Sequence, residues 1–87
     1  MATTYHLDIV TPVGSLYDGE VQSVIAPGSE GYLGILAHHA ALVTALVPGK
    51  LTIRDAAGKT TVHMISGGFL EVSNNRLTVL AEGLDKL

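Results

Sequence analysis

The sequence contains no cysteine, which excludes disulfide bonds and thiolate metal ligands from this chain of 87 residues. It also has little charge, because 15% of its residues are charged against roughly 25% in an ordinary soluble domain. Five basic and eight acidic residues give a net charge of −3, without any cluster of lysine or arginine. We therefore expect no nucleic-acid partner.

Long apolar runs are absent too. No stretch approaches the ~20 apolar residues that are needed to cross a bilayer, so we expect no direct insertion into a membrane. The N-terminal MATTYHLDIVTP has neither the charged start nor the apolar centre of a signal peptide. These features predict one soluble domain, residues 1–87, in the cytosol.

What the sequence does have is an excess of apolar residues. Hydrophobic residues make up 47% of the chain, although a small domain has a large surface relative to its volume. We interpret this as a sign that a partner covers part of the outside. An uncharged surface rich in threonine, serine and glycine is the alternative.

Short runs of alternating residues predict half-buried β-strands. Five such runs occur, at residues 5–9, 21–26, 51–54, 61–65 and 77–82. Gly58 in DAAGK (residues 55–59) predicts one hairpin turn. The pair Asn74-Asn75 predicts a second hairpin turn, of type I′. Turns are also predicted at Pro27-Gly28 and Pro48-Gly49. Many short strands at regular spacing are typical of an all-β sandwich or barrel.

One segment is ambiguous. Residues 35–47 contain neither glycine nor proline, and the spacing of their apolar residues suits a helix as well as a buried strand. This segment includes two adjacent histidines, His38 and His39. On a strand they would point to opposite faces, and His6 and His63 lie in other predicted strands, so we expect a surface or interface role and no metal site.

No pattern of catalytic residues is evident. ISGGF around Ser66 is not a Gly-x-Ser-x-Gly elbow, and the glycines of GSEGYLG lack the lysine of a phosphate loop. Lys59 lies in AGKTT, which lacks the DKA or MKM setting of lipoyl and biotin carriers. We therefore expect no catalytic residue and no cofactor, and we attribute the glycines to tight turns.

Several segments together resemble a known family. TYHLDIVTP, GSEGYLGIL, LVTALVPGKLTIR and ISGGFLEVSNNRLTVLAE occur in the order seen in the N-terminal domain of the epsilon subunit of bacterial F-type ATP synthase. The resemblance runs from about Tyr5 to Glu82. It implies a flattened β-sandwich of about ten short, mostly antiparallel strands, in which Leu42–Val47 is a strand.

The resemblance also implies a function. In that family the domain is a non-catalytic part of the central rotor stalk, which binds the gamma subunit and the ring of c subunits and couples proton translocation to ATP synthesis. It implies a peripheral position on the cytoplasmic face of the bacterial inner membrane. It implies no nucleotide site in this domain, and we expect no C-terminal helical domain of the kind that most relatives have.

Contact residues follow from the same resemblance. The segment that faces the c-ring in the family corresponds here to Ser29, Glu30, Gly31, Tyr32 and Leu33. The family's PGHAP segment lies near gamma and corresponds to AHHAA, which gives His39, Ala40 and Leu42 as gamma contacts. Ala37 and Ala41 replace its two prolines, so we expect a less rigid loop.

Two other functions remain open from the sequence. The first is a free-standing β-sandwich that binds a small ligand, which needs a pocket with convergent polar groups. The second is an enzyme such as a histidine-dependent hydrolase, for which His39 is the candidate residue.

Overall fold

The computed structural model describes residues 3–82 and 84–86. All regular elements among them are β-strands. The described residues include no helix that could cross a bilayer. The strands are β1 (Tyr5–Thr11), β2 (Gly14–Gly28), β3 (Gly31–Leu36), β4 (Leu42–Leu46), β5 (Gly49–Asp55), β6 (Thr60–Ile65), β7 (Gly68–Ser73), β8 (Arg76–Ala81) and β9 (Leu84–Lys86). The all-β class is confirmed, with nine strands in the described residues where about ten were expected.

The long strand β2 connects the two halves of the sheet. The strands follow the order β1-β8-β7-β4-β2-β5-β6-β9, and β3 pairs with β2. The first part of β2 also pairs with β1, while its last part pairs with β3 and β5. The sheet therefore closes back on itself as a sandwich. Pairing is antiparallel apart from β1 with β8, which run parallel.

The core lies between the two layers of the sandwich, and its residues follow the predicted alternation. In β1 and β8, every second residue is buried, as Leu7 and Leu77 illustrate. Burying one such side chain stabilises the fold by about 1.5–3 kcal/mol. The Tyr5 hydroxyl donates a hydrogen bond to the Ile35 carbonyl at 2.6 Å, which ties β1 to β3. Burial raises the pKa of the Tyr5 phenol, so the hydroxyl remains a donor.

The alternation predicted for residues 21–26 is interrupted in the structure. Val21 and Val24 are both buried, although they are three residues apart, and Ile25 is exposed. The reason is an irregularity in the pairing with β5 between Val21 and Ser23, which reverses the inward and outward sides of the strand.

Two of the predicted turns are confirmed. Asn74 and Asn75 have φ angles of 52° and 56°, as a type I′ turn requires, and Gly58 has a φ of 87° in the β5–β6 hairpin. The prediction at Pro27-Gly28 is wrong, because these residues end β2 and the turn is formed by Ser29 and Glu30. At Pro48-Gly49 the chain bends, and β5 begins at the glycine.

The ambiguous segment contains two strands. β3 ends at Leu36, and β4 begins at Leu42, as the resemblance implied. The residues that suited a helix, among them Leu36, Val43 and Val47, are exposed. After Glu82 the chain forms β9, and Gly83 falls outside the described residues.

Two glycines of ISGGF are required by the backbone. Gly67 and Gly68 have φ angles of 128° and 145°, which residues with a side chain rarely adopt. A Cβ atom at Gly68 would also collide with the Leu80 carbonyl oxygen. The glycines of this motif therefore allow β7 to pair closely with β8.

Candidate interaction surfaces

The hairpin that joins β2 to β3 contains the five residues predicted to contact the c-ring. Ser29, Glu30 and Gly31 are exposed at its tip. The tip is fixed by a hydrogen bond of 3.0 Å from the Ser29 N–H to the Ala45 carbonyl, and Gly31 has a φ of 124°. This tip is a defined protrusion that a partner can contact without any change in the fold.

Tyr32 and Leu33, unlike the residues of the tip, have side chains that contact other parts of the chain. Tyr32 is 60% exposed, yet its hydroxyl accepts a hydrogen bond from the Lys50 N–H at 3.1 Å. Its ring therefore reaches across the end of β2 towards β5. Leu33 is partly buried and packs against the core. These two residues contribute to folding as well as to the surface.

The loop with the two histidines is exposed and held by hydrogen bonds. The His38 N–H donates to the Asn75 side-chain oxygen at 2.6 Å, and the His39 N–H donates to the Leu36 carbonyl at 3.2 Å. The His39 Nδ1 lies 2.8 Å from the carbonyl oxygen of the neighbouring exposed residue, Ala40. The β7–β8 turn thus supports a loop that lacks the family's prolines.

Leu42, predicted to contact gamma, lies beside the predicted c-ring residues. Leu33 and Leu42 both pack against the core and line one hollow of about 270 Å³, together with Glu30, Tyr32 and Thr44. His39 and Ala40 do not line this hollow. The structure therefore joins parts of the two predicted contact sets into one continuous surface.

A larger surface was not predicted. The outer face, defined as the side of β1, β8, β7 and β4 that points away from the core, has an apolar half: Val10, Val43, Phe69 and Leu80, which are 39%, 69%, 57% and 51% exposed. Pairing places Val10 beside Leu80 and Leu80 beside Phe69. A signal existed in the sequence, because Phe69 and Leu80 are apolar at positions where the alternation predicts outward polar residues.

The other end of the outer face, together with the paired part of β2, is a polar half, formed by His6, Asp8, Asp18, Glu20 and Arg76. Arg76 donates two hydrogen bonds to one oxygen of Asp8, at 3.0 and 2.8 Å. The His6 Nε2 lies 3.2 Å from Asp8 and 2.7 Å from Asp18, and its Nδ1 lies 3.3 Å from Glu20. Each of these charged groups has an opposite charge beside it when the histidine is protonated.

These contacts shift the pKa values of two side chains, His6 and Asp8. Partial burial lowers the pKa of His6, but hydrogen bonds and the charge of Asp8, together with Glu20, outweigh it and raise the pKa above its usual value. Partial burial raises the pKa of Asp8, but Arg76 and His6 outweigh it and hold that pKa below its usual value. The charged forms of both residues are therefore favoured.

Ligand atoms of His6, Asp8 and Asp18 lie within 4.8 Å of one another, close enough to reach one cation. The same atoms are already engaged with one another and with Arg76. In the part of the chain that the structure describes, His38 and His39 belong to no such group.

Comparison with known proteins agrees with the fold. A family model described as "ATP synthase, Delta/Epsilon chain, beta-sandwich domain" matches residues 4–85. The chain is 48% identical over 86 residues to an ATP synthase epsilon chain of Desulforamulus reducens, covering 99% of this chain and 64% of that protein. It is 45% identical, with the same coverage, to an ATP synthase epsilon chain of Desulforapulum autotrophicum.

Two solved structures share the fold at low sequence identity. A chain of the Euglena gracilis mitochondrial ATP synthase, determined as OSCP/F1/c-ring, superposes with a TM-score of 0.89 at 24% identity, over 97% of this chain and 54% of that one. A chain of the Tetrahymena thermophila central stalk/c-ring superposes with a TM-score of 0.81 at 22% identity, over 98% and 68%.

The family match covers nearly the whole chain, and the curated relatives are identical at almost half of the aligned positions. The chain spans 64% of the length of these relatives. It belongs to the beta-sandwich domain family of the ATP synthase delta/epsilon chains.

Proposed function

We propose that this chain is a non-catalytic subunit of the central rotor stalk of an F-type ATP synthase. It binds the gamma subunit and the c-ring, and it couples proton translocation to ATP synthesis by transmitting rotation between them. We place it as a peripheral component on the cytoplasmic face of the bacterial inner membrane. The epsilon chains among its relatives, and the stalk and c-ring assemblies that contain its structural neighbours, support this proposal.

The observation that carries the proposal is the apolar half of the outer face. Four large apolar side chains on four adjacent strands point away from the core, with Phe69 and Leu80 directly beside each other. Contiguous exposed apolar side chains of this kind mark surfaces that a partner covers. Cross-strand hydrogen bonding gives the sandwich the stiffness that transmission of torque requires.

The contacts are divided between two surfaces. The gamma subunit covers the apolar half and the residues His39, Ala40 and Leu42. The c-ring meets the protruding tip of the β2–β3 hairpin, within Ser29–Leu33. The tip is fixed by its bond to β4, so force applied there passes directly into the sheet.

Binding to purified gamma tests the first contact. Phe69→Asp places a charge in the centre of the apolar half, so we expect affinity for gamma to fall by about tenfold or more. Ser73→Asp is the matched control, because Ser73 is an exposed residue on the outward side of the same strand beside Arg76. Equal affinity of the two variants, measured by calorimetry, would remove gamma from this face.

A second arm tests the c-ring contact in membranes that hold the complete complex. Glu30→Lys reverses the charge at the exposed tip, and we expect weaker coupling of proton pumping to ATP hydrolysis. Normal coupling would exclude the tip as the contact. The ligand-binding alternative would gain support if a small anion bound in the hollow of about 430 Å³ that Arg54 and His38 line with five other residues.

A further inference from the structure

An open seam lies between β3 and β4. β3 pairs with β2 along one edge, and no described strand pairs with its other edge. β4 pairs fully with β7, but its opposite edge meets β2 only at the pair Gly28 and Leu46. Leu33 from β3 and Leu42 from β4 line the hollow between them. The sandwich is therefore incomplete on this side.

The free edge of β3 presents backbone hydrogen-bonding groups. In a two-residue hairpin the flanking residues, here Gly28 and Gly31, form a hydrogen-bonded pair, and the pattern then alternates along the strand. Tyr32, Gly34 and Leu36 consequently direct their N–H groups away from β2. Among the described residues these three N–H groups have no acceptor, although the Leu36 carbonyl accepts from His39.

This edge lacks the usual protection against pairing. Natural edge strands carry lysine, proline, inward charges or bulges that prevent another strand from adding to them. β3 reads GYLGIL, without a charge or a proline, and its pairing with β2 contains no irregularity. Such an edge pairs readily with any extended segment that reaches it.

Gly34 allows the free edge to be altered without disturbing the fold. A Cβ atom added there would meet no atom within 4 Å, and the residue does not have a positive φ angle. The fold of the chain itself therefore does not require glycine at this position. A substitution there changes the exposed edge of β3 alone.

We propose that the seam receives an extended segment of the gamma subunit, which adds to the free edge of β3 as a further strand and covers Leu33 and Leu42 with apolar side chains. This inference rests on the proposed function and adds the mode of binding. It leaves the exposed tip, residues 29–31, to the c-ring and assigns Leu33 to gamma. Gamma is the occupant because Val43, on the outer face of β4, belongs to the apolar half that gamma covers. A partner on that face borders the free edge of β4, which lies across the hollow from β3.

Amide hydrogen exchange of the complex with gamma tests the proposal. We expect the N–H groups of Tyr32, Gly34 and Leu36 to exchange about tenfold more slowly, or slower still, in the complex. The N–H groups of Leu33 and Ile35, which face β2, serve as internal references. If the complex forms but the three outward amides keep their free rates, strand addition is wrong and the proposed function stands. If no complex forms, both fail.

Two substitutions at one site give an independent test. Gly34→Ala and Gly34→Pro both add atoms into open space, but only proline removes the outward N–H. We expect the proline variant to bind gamma about tenfold more weakly or worse, and the alanine variant to bind like the parent chain. Equal binding of two folded variants overturns strand addition. Should the proline variant fail to fold, the exchange experiment decides.

A second copy of the chain is the competing occupant. In that case the outward amides of β3 would become protected in the isolated chain as its concentration rises, together with a dimer in sedimentation. That result would overturn the assignment of the seam to gamma.

Discussion

The two halves of the outer face meet on β1 and β8 but differ in how their side chains are satisfied. In the polar half, His6 and Arg76 hold the carboxylates around them in five contacts of 2.7–3.3 Å. In the apolar half, Val10, Phe69 and Leu80 have only one another. The first surface is complete in the isolated chain. The second is complete only when a partner excludes water from it.

The change from one half to the other occurs within a single strand. His6, Asp8 and Val10 are successive outward residues of β1, separated by about 7 Å at each step. Each step moves the side chain to the next row of the face. A partner can therefore cover the row that contains Val10 while His6 and Asp8 stay in water and are not desolvated further.

The largest expected effect comes from a substitution that disrupts the pairing of β7 with β8, two strands of the outer face. Gly68→Ala places a Cβ against the Leu80 carbonyl oxygen at a φ of 145°, so β7 and β8 cannot keep their register. We expect a loss of about 3 kcal/mol or more in the free energy of unfolding, measured by urea denaturation. Gly34→Ala is the control, since its Cβ meets open space. Equal stability of the two variants would contradict this account.

The sequence predicted strands well because buried positions alternate with a period of two. Leu7, Leu77 and their neighbours follow that rule without interruption. Exposed apolar residues did not follow it. Leu36, Val43 and Val47 suggested a helix because an outward apolar residue looks the same in a sequence as a buried one. Surfaces that a partner covers therefore disturb the pattern from which core residues are inferred.

Contacts between distant strands could not be predicted either. Asp8 and Arg76 are 68 residues apart, and they meet because β1 and β8 run parallel with His6 opposite Arg76. No local pattern encodes that register. The predicted contact residues were placed by resemblance to a family, which identified the exposed tip and loop but gave no sign that Leu33 and Leu42 share one hollow.

A smaller effect, confined to the polar half, depends on pH. The pKa of His6 is raised in the folded chain, so its stabilising contribution is complete below the ordinary value of 6.5 and is lost as pH rises through the folded-state value. The pKa of Asp8 is lowered, so its contribution is lost only as pH falls through its folded-state value, below the ordinary 3.8. We expect stability to fall as pH rises above 6.5 and through the folded-state pKa of His6, by no more than about 1 kcal/mol.

The variant His6→Ala should remove this slope, and His39→Ala should keep it, because the His39 ring contacts a backbone carbonyl rather than a carboxylate. Thermal unfolding at several pH values measures both. A slope that survives in His6→Ala would show that the polar half is not responsible for the pH dependence.

The smallest change in stability is expected in the apolar half. Leu80→Thr removes an exposed apolar side chain and keeps a residue that favours strands, so the free energy of unfolding should change by about 0.5 kcal/mol or less. Affinity for gamma should nevertheless fall. Adding Thr78→Leu restores the composition but moves the leucine to the row beside Asp8 and Glu71, so it should not restore binding. Recovery of affinity in the double variant would mean that apolar content, rather than its position on the outer face, determines what this surface binds.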